Sequence, residues 1–132
     1  MTVVNAYPPN IDEIRARFNP PRGTIYAYGD TIYAPDSGPL PADLIAHEEV
    51  HFVQQRRVGG PEAWWRRYID DARFRLEQEV EAYRVQWAIV RDMPRPERRA
   101  RLQHICRSLS SRMYGGIVTY EQARKLVTGA TA

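Results

Sequence analysis

The sequence predicts an α+β domain that is mostly helical, with a single β-hairpin in its first third. Three observations carry this expectation. From residue 41 onward apolar residues recur at three- and four-residue spacings, the period of one helix face. Proline, glycine and capping residues cut that pattern into pieces of helical length. Ahead of it stand two β-rich runs, Thr24-Ile25-Tyr26-Ala27-Tyr28 and Thr31-Ile32-Tyr33-Ala34, parted by the turn pair Gly29-Asp30. At 132 residues the chain has the size of one ordinary domain.

Residues 11–18 read as a short helix, because Asn10 can cap it, Glu13 completes a capping-box spacing and Asn19-Pro20-Pro21 stops it. If the hairpin loop has two residues, Ile25, Ala27, Ile32 and Ala34 share one face and Tyr26, Tyr28 and Tyr33 the other, so the small apolar face should meet the core. A turn-rich link over residues 35–39 leads to a helix over 41–58, where Pro41 suits the first turn and Gly59-Gly60 the end. Pro61 opens a short helix with Trp64, Trp65 and Tyr68, which like Trp87 are expected in the core. Asp71 can cap a long helix to about Arg91, which Pro94 and Pro96 stop. An Arg-rich helix over 97–112 follows, then Tyr114-Gly115-Gly116 and a last helix over 120–127.

Composition narrows the function. The apolar share of 43% and charged share of 27% suit a globular protein, and no apolar stretch approaches the roughly 18 residues of a membrane span. The first ten residues lack a basic start followed by an apolar run, so a cytoplasmic location is expected. The single cysteine, Cys106, excludes an internal disulfide and a Cys-based metal cluster, and reads as a packed thiol. The net charge of +3 is too small to demand nucleic acid, although all but Lys125 of the 19 basic residues are Arg. Residues 97–112 read first as a solvated face, with phosphate or an acidic partner as the alternative. His104, among Arg98, Arg99, Arg101 and Arg107 without a second ligand, reads as a plain surface histidine.

The informative run is His47-Glu48-Glu49-Val50-His51. Two histidines four apart on a helix project to the same side about one turn apart and can grip one metal ion. Imidazole nitrogen suits Zn2+, and Glu48 would sit beside the metal-bound water as general base. At about 100° per residue, Leu44, His47, His51, Gln54 and Val58 form one inward stripe, while Glu49 and Arg56 lie on the solvated side. Gln54, one turn past His51, either orients a ligand or fills a core gap.

A catalytic zinc needs a third protein ligand, and the long helix offers Glu77, Glu79 and Glu81. Its buried stripe is Leu76, Val80, Tyr83, Trp87 and Val90. Glu79, three after Leu76 and four before Tyr83, flanks that stripe and is the predicted ligand. Glu77 and Glu81 point outward, toward solvent and toward Arg73 or Arg84.

His47-Glu48-x-x-His51, followed 28 residues after the second histidine by Glu79-x-x-Ala82, resembles the gluzincin type of zinc metallopeptidase. Integral-membrane members of that group carry Glu-x-x-Ala-Asp, whereas this chain has Tyr83 at the Asp position and lacks the membrane helices. Tyr28-Gly29-Asp30, the run from His47 through Gln54-Gln55, and Glu79-x-x-Ala82-Tyr83 are also similar to small metallopeptidases of bacterial and phage genomes. The resemblance spans residues 24–90, with the HExxH part specific and the rest softer. It implies a zincin-like fold in which a hairpin lies beside the active-site helix and a second helix brings the glutamate.

On this reading the expected activity is peptide-bond hydrolysis on a peptide or protein substrate, with Zn2+ held by His47, His51 and Glu79. Zincin-like sites commonly bind an extended chain along the edge strand, so Tyr26, Tyr28 and Tyr33 either line that cleft or are plain strand aromatics. Too many Tyr and Arg residues could serve as the oxyanion donor to single one out. Two rivals stand beside the enzyme: a zincin-shaped binding or regulatory module, and a nucleic-acid-associated factor using the Arg-rich helix.

Overall fold

The computed structural model describes residues 1–36 and 38–129. In chain order its elements are β1 (Thr2–Val4), α1 (Ile11–Arg17), β2 (Tyr26–Tyr28), β3 (Thr31–Tyr33), α2 (Ala42–Arg57), α3 (Pro61–Asp70), α4 (Ala72–Val90), α5 (Arg95–Leu109), a 3₁₀ turn (Arg112–Tyr114) and α6 (Tyr120–Thr128). The fold is α+β and mostly helical, as the periodicity predicts. Among the described residues no helix is long and apolar enough to cross a membrane.

The hairpin forms with the two-residue loop: Tyr26 pairs with Tyr33, Ala27 with Ile32 and Tyr28 with Thr31. Gly29 supplies the positive φ of 73° that such a turn needs. The sheet has a third strand, which the sequence reading lacks. β1 lies parallel to β3, with Val3 beside Ile32, giving the order β1-β3-β2. Three residues are too short to show a period; only the edge of β3 makes them a strand.

One hairpin face meets the core as expected, and the other departs from expectation. Ala27 and Ile32 are sealed and pack with Phe52 of α2, flanked by Ile25, Leu40 and Ile45. The tyrosine face is covered as well: Tyr26 is buried in the main core, and Tyr28 and Tyr33 pack against it. Ile14 of α1 and Trp65 of α3 belong to that same cluster, so the sheet is held between two apolar layers.

Helix limits follow local chemistry with three corrections. Asn10 makes no side-chain capping bond to α1. Pro96 falls in the first turn of α5, where the missing N–H costs nothing, so this helix starts at Arg95 and ends at Leu109, and residues 112–114 form their own turn. Val58 lies just past the end of α2 and is 37% exposed, not on an inward stripe, and Val53 is exposed too. Asp71 caps α4 as predicted, accepting from Phe74 N at 3.0 Å. Ser37, in the predicted link, lies outside the described residues.

α4 is the central element and packs against α2, α3, α5 and α6. Its Leu76, Val80, Tyr83 and Val90 are buried, with Trp87 half-buried against the same core. Trp64, Trp65, Ile105, Cys106 and Leu109 belong to the same cluster, and burial of each large apolar side chain favours folding by about 1.5–3 kcal/mol.

Candidate metal centre

α2 places His47, Glu48 and His51 in the interior, each at most 7% exposed, and Glu49 outside. The two imidazole rings lie 5.0 Å apart between centroids, as the i, i+4 spacing requires. α4 runs against α2 and brings Glu79 between them. Glu79 Oε1 is 3.0 Å from His47 Nε2 and 2.8 Å from His51 Nε2. One donor atom from each of the three residues lies within 4.8 Å of the others. Glu77 is exposed and takes no part.

Several side chains hold these donors in place. Tyr68 and Tyr114 donate to the other oxygen, Glu79 Oε2, at 2.7 and 3.1 Å, leaving Oε1 to face the histidines. Tyr83 packs edge-on against His47, with centroids 4.4 Å apart, and Trp64 lies 5.1 Å from the His51 ring. Gln54 is the brace of His51. Its Nε2 donates to Gln78 O at 3.0 Å and Glu81 Oε1 at 2.7 Å, which turns its Oε1 to His51 Nδ1 at 2.8 Å. Glu81 is therefore half-buried, and its other partner is Arg57 at 3.1 Å, not Arg73 or Arg84.

This brace tests whether the residues fit a metal. Because Gln54 offers His51 Nδ1 an acceptor, Nδ1 carries the proton, and a neutral ring then aims its Nε2 lone pair at a carboxylate oxygen. Two acceptors at 2.8 Å require a cation between them, either a second proton or a metal ion. With a proton, burial lowers the His51 pKa but Glu79, Glu48 and Gln54 outweigh it, pushing it up to about 9. Burial would raise Glu79, yet the His51 charge and the bonds from both histidines hold it well below the usual carboxylate range. Two nitrogens and one carboxylate oxygen are a donor set for a divalent metal. Bonds of about 2.1 Å at a tetrahedral angle separate donors by roughly 3.4 Å, so these side chains need part by only about half an ångström.

The centre opens onto a cleft of about 1060 Å³. His47, Glu48 and Glu79 line it, with Phe18, Tyr26, Leu44, Trp65 and Met113 among its apolar walls. Glu48 makes no hydrogen bond to another described residue, and burial pushes its carboxyl up against the lowering pull of both histidines. Burial and the Glu79 charge raise both Tyr68 and Tyr114, which keeps these phenols protonated as donors. Of the three hairpin tyrosines only Tyr26 lines the cleft. The edge of β2 is occupied at Ala27, whose carbonyl accepts from Gln55 Nε2 and Trp65 Nε1, both at 2.9 Å. Gln55 also accepts from Gly29 N at 2.7 Å, so it ties α2 to the hairpin turn.

His104 is exposed and stays outside the donor group, although it reaches the cleft rim. Cys106 is fully buried, as a packed thiol should be. Sequence reasoning missed Tyr68, Tyr83 and Tyr114 as site residues. Tyr83 alone left a signal, standing four residues after Glu79 on the same helix face. Comparison with family models, with curated proteins and with solved structures gave no match.

Proposed function

We propose that the chain is a zinc-dependent metallopeptidase on a zincin-like fold, with His47, His51 and Glu79 holding the metal and Glu48 as general base. The carrying observation is that Glu79, on a separate helix, closes on the two HExxH histidines while Glu48 lines the same cleft outside the donor group. When bound, zinc supplies a water of pKa near about 7 and a Lewis acid for the scissile carbonyl. Glu48, buried and without a hydrogen bond to another described residue, would take the water's proton and pass it to the leaving amine, and burial pushes its carboxyl up, which suits a group that both accepts and returns a proton. Gln54 keeps the His51 tautomer, and Tyr68 and Tyr114 keep Glu79 aimed.

Among the described residues the donor group has three members, whereas a structural zinc is normally closed by four, which favours an enzyme over a binding module. The nucleic-acid reading loses part of its basis, because Arg101 of the Arg-rich helix is engaged by Asp43 at 2.7 Å.

The test is elemental analysis together with hydrolysis of a peptide library. About one zinc per chain is expected in the wild type and in Glu48→Gln, with cleavage abolished by chelator and lowered at least about 100-fold by Glu48→Gln. Protein that stays metal-free after zinc dialysis, or equal cleavage by the two proteins, sinks the proposal.

A further inference from the structure

Arg75 is 1% exposed, lines the cleft and stands one helical turn before Glu79 on α4. Residues four apart on a helix have β-carbons about 6 Å apart on one side, so Arg75 is a neighbour of the metal centre. Its Nε donates to Met113 O at 2.7 Å and its Nη1 to Tyr68 O and Ile69 O at 2.7 and 3.0 Å. These bonds fix the end of α3 and the 3₁₀ turn, and they leave the two N–H groups of Nη2 without a partner among the described residues. No described carboxylate forms an ion pair with Arg75. A cation so deeply buried is costly unless an anion meets it.

A second cation sits on the same wall. Arg17 lines the cleft, has no ion pair among the described residues, and places its guanidinium carbon 5.5 Å from the Phe18 ring centroid, where that of Arg75 lies at 4.9 Å. Burial lowers the Arg75 pKa and the Arg17 charge adds to that, against the raising pull of Tyr68, Tyr114 and Asp71. Two arginines that repel each other beside one aromatic ring, both lining a cleft and neither in an ion pair among the described residues, are arranged for a planar anion next to an apolar group.

We infer that Arg75 and Arg17 form a subsite for a carboxylate of the peptide substrate, beside the metal centre on the cleft wall. The assignment of the carboxylate to a peptide rests on the peptidase reading. The carboxylate is either the peptide's C-terminus or an Asp or Glu side chain, and the test separates the two. Four peptides of one sequence with an N-terminal fluorophore serve as probes: the free acid, its C-terminal amide, the amide with Glu beside the terminus, and the amide with Gln there. Their affinities for zinc-loaded Glu48→Gln protein are read by fluorescence anisotropy, without turnover. Either the free acid over the plain amide, or the Glu amide over the Gln amide, should bind at least about 10-fold more tightly. The pair that shows the difference names the source.

Arg75→Ala would release the end of α3, so the site is probed at the exposed Arg17 instead. Arg17→Gln should reduce the preference to about 3-fold or less. Equal binding within both pairs, no measurable binding of any probe, or a preference that survives Arg17→Gln overturns the assignment. Tighter binding of an acidic probe by a wild-type protein that cleaves neither the four probes nor the peptide library retires the peptidase reading and leaves the carboxylate subsite standing.

Discussion

Gln54 and Gln55 are adjacent on α2 and serve different neighbours, because successive helical residues point about 100° apart. Gln54 faces α4 and fixes His51, while Gln55 faces the sheet and holds the Ala27 carbonyl and the Gly29 N–H. Their alanine variants should therefore fail in different ways. Gln54→Ala removes the support of a ligand and strands His51 Nδ1–H, so it should weaken metal binding about 10-fold or more besides costing about 1–3 kcal/mol of stability. Gln55→Ala leaves Gly29 N–H without its acceptor, while Ala27 O keeps Trp65. It should destabilise by about 1–3 kcal/mol and leave metal affinity near the wild type. Competition with a chelating dye and urea midpoints on the same two proteins check both; swapped outcomes would mean that the two amides have been assigned to the wrong partners.

At the scale of elements, the site depends on how α2 and α4 are held together beyond the donor group. At the start of α2, Asp43 is fully buried, and its Oδ2 accepts from Gln86 of α4 at 2.9 Å and Arg101 of α5 at 2.7 Å. Three helices thus meet on one carboxylate. The two ends of the ion pair are unequal, since the Asp43 side chain is 0% and that of Arg101 36% exposed. Losing Arg101 strands a sealed charge, whereas losing the Asp43 charge leaves an arginine that can turn to water. Arg101→Ala should accordingly cost about 3 kcal/mol and Asp43→Asn about 1 kcal/mol, as read from denaturant unfolding. Equal costs would mean that the pair behaves as a surface contact.

For the whole molecule, the buried His51–Glu79 pair makes stability depend on pH when no metal is bound. His51 is raised from 6.5 to about 9, so its contribution is fully present below about 6.5 and is lost as pH rises through about 9. Glu79 is depressed, so its contribution is present above 4.5, its unperturbed value, and is lost as pH falls through the folded value. Chelated protein should lose roughly 5 °C or more of melting temperature between pH 6.5 and 9.5, a loss that bound zinc suppresses by taking the place of the proton. A flat melting temperature in the chelated protein would show that His51 is already neutral at pH 6.5. The sequence alone determined the helices, the hairpin and the grouping of His47, Glu48 and His51, because period, caps and i, i+4 spacing are local. It also singled out Glu79, because the stripe of α4 has one phase. Only the tertiary structure decided the rest. The Tyr114 bond to Glu79 spans 35 residues and the Arg101 bond to Asp43 spans 58, while β1 exists only against β3. A polar side chain at such a distance leaves no periodic trace; its partner is chosen when the apolar faces of the helices pack and bring the two together.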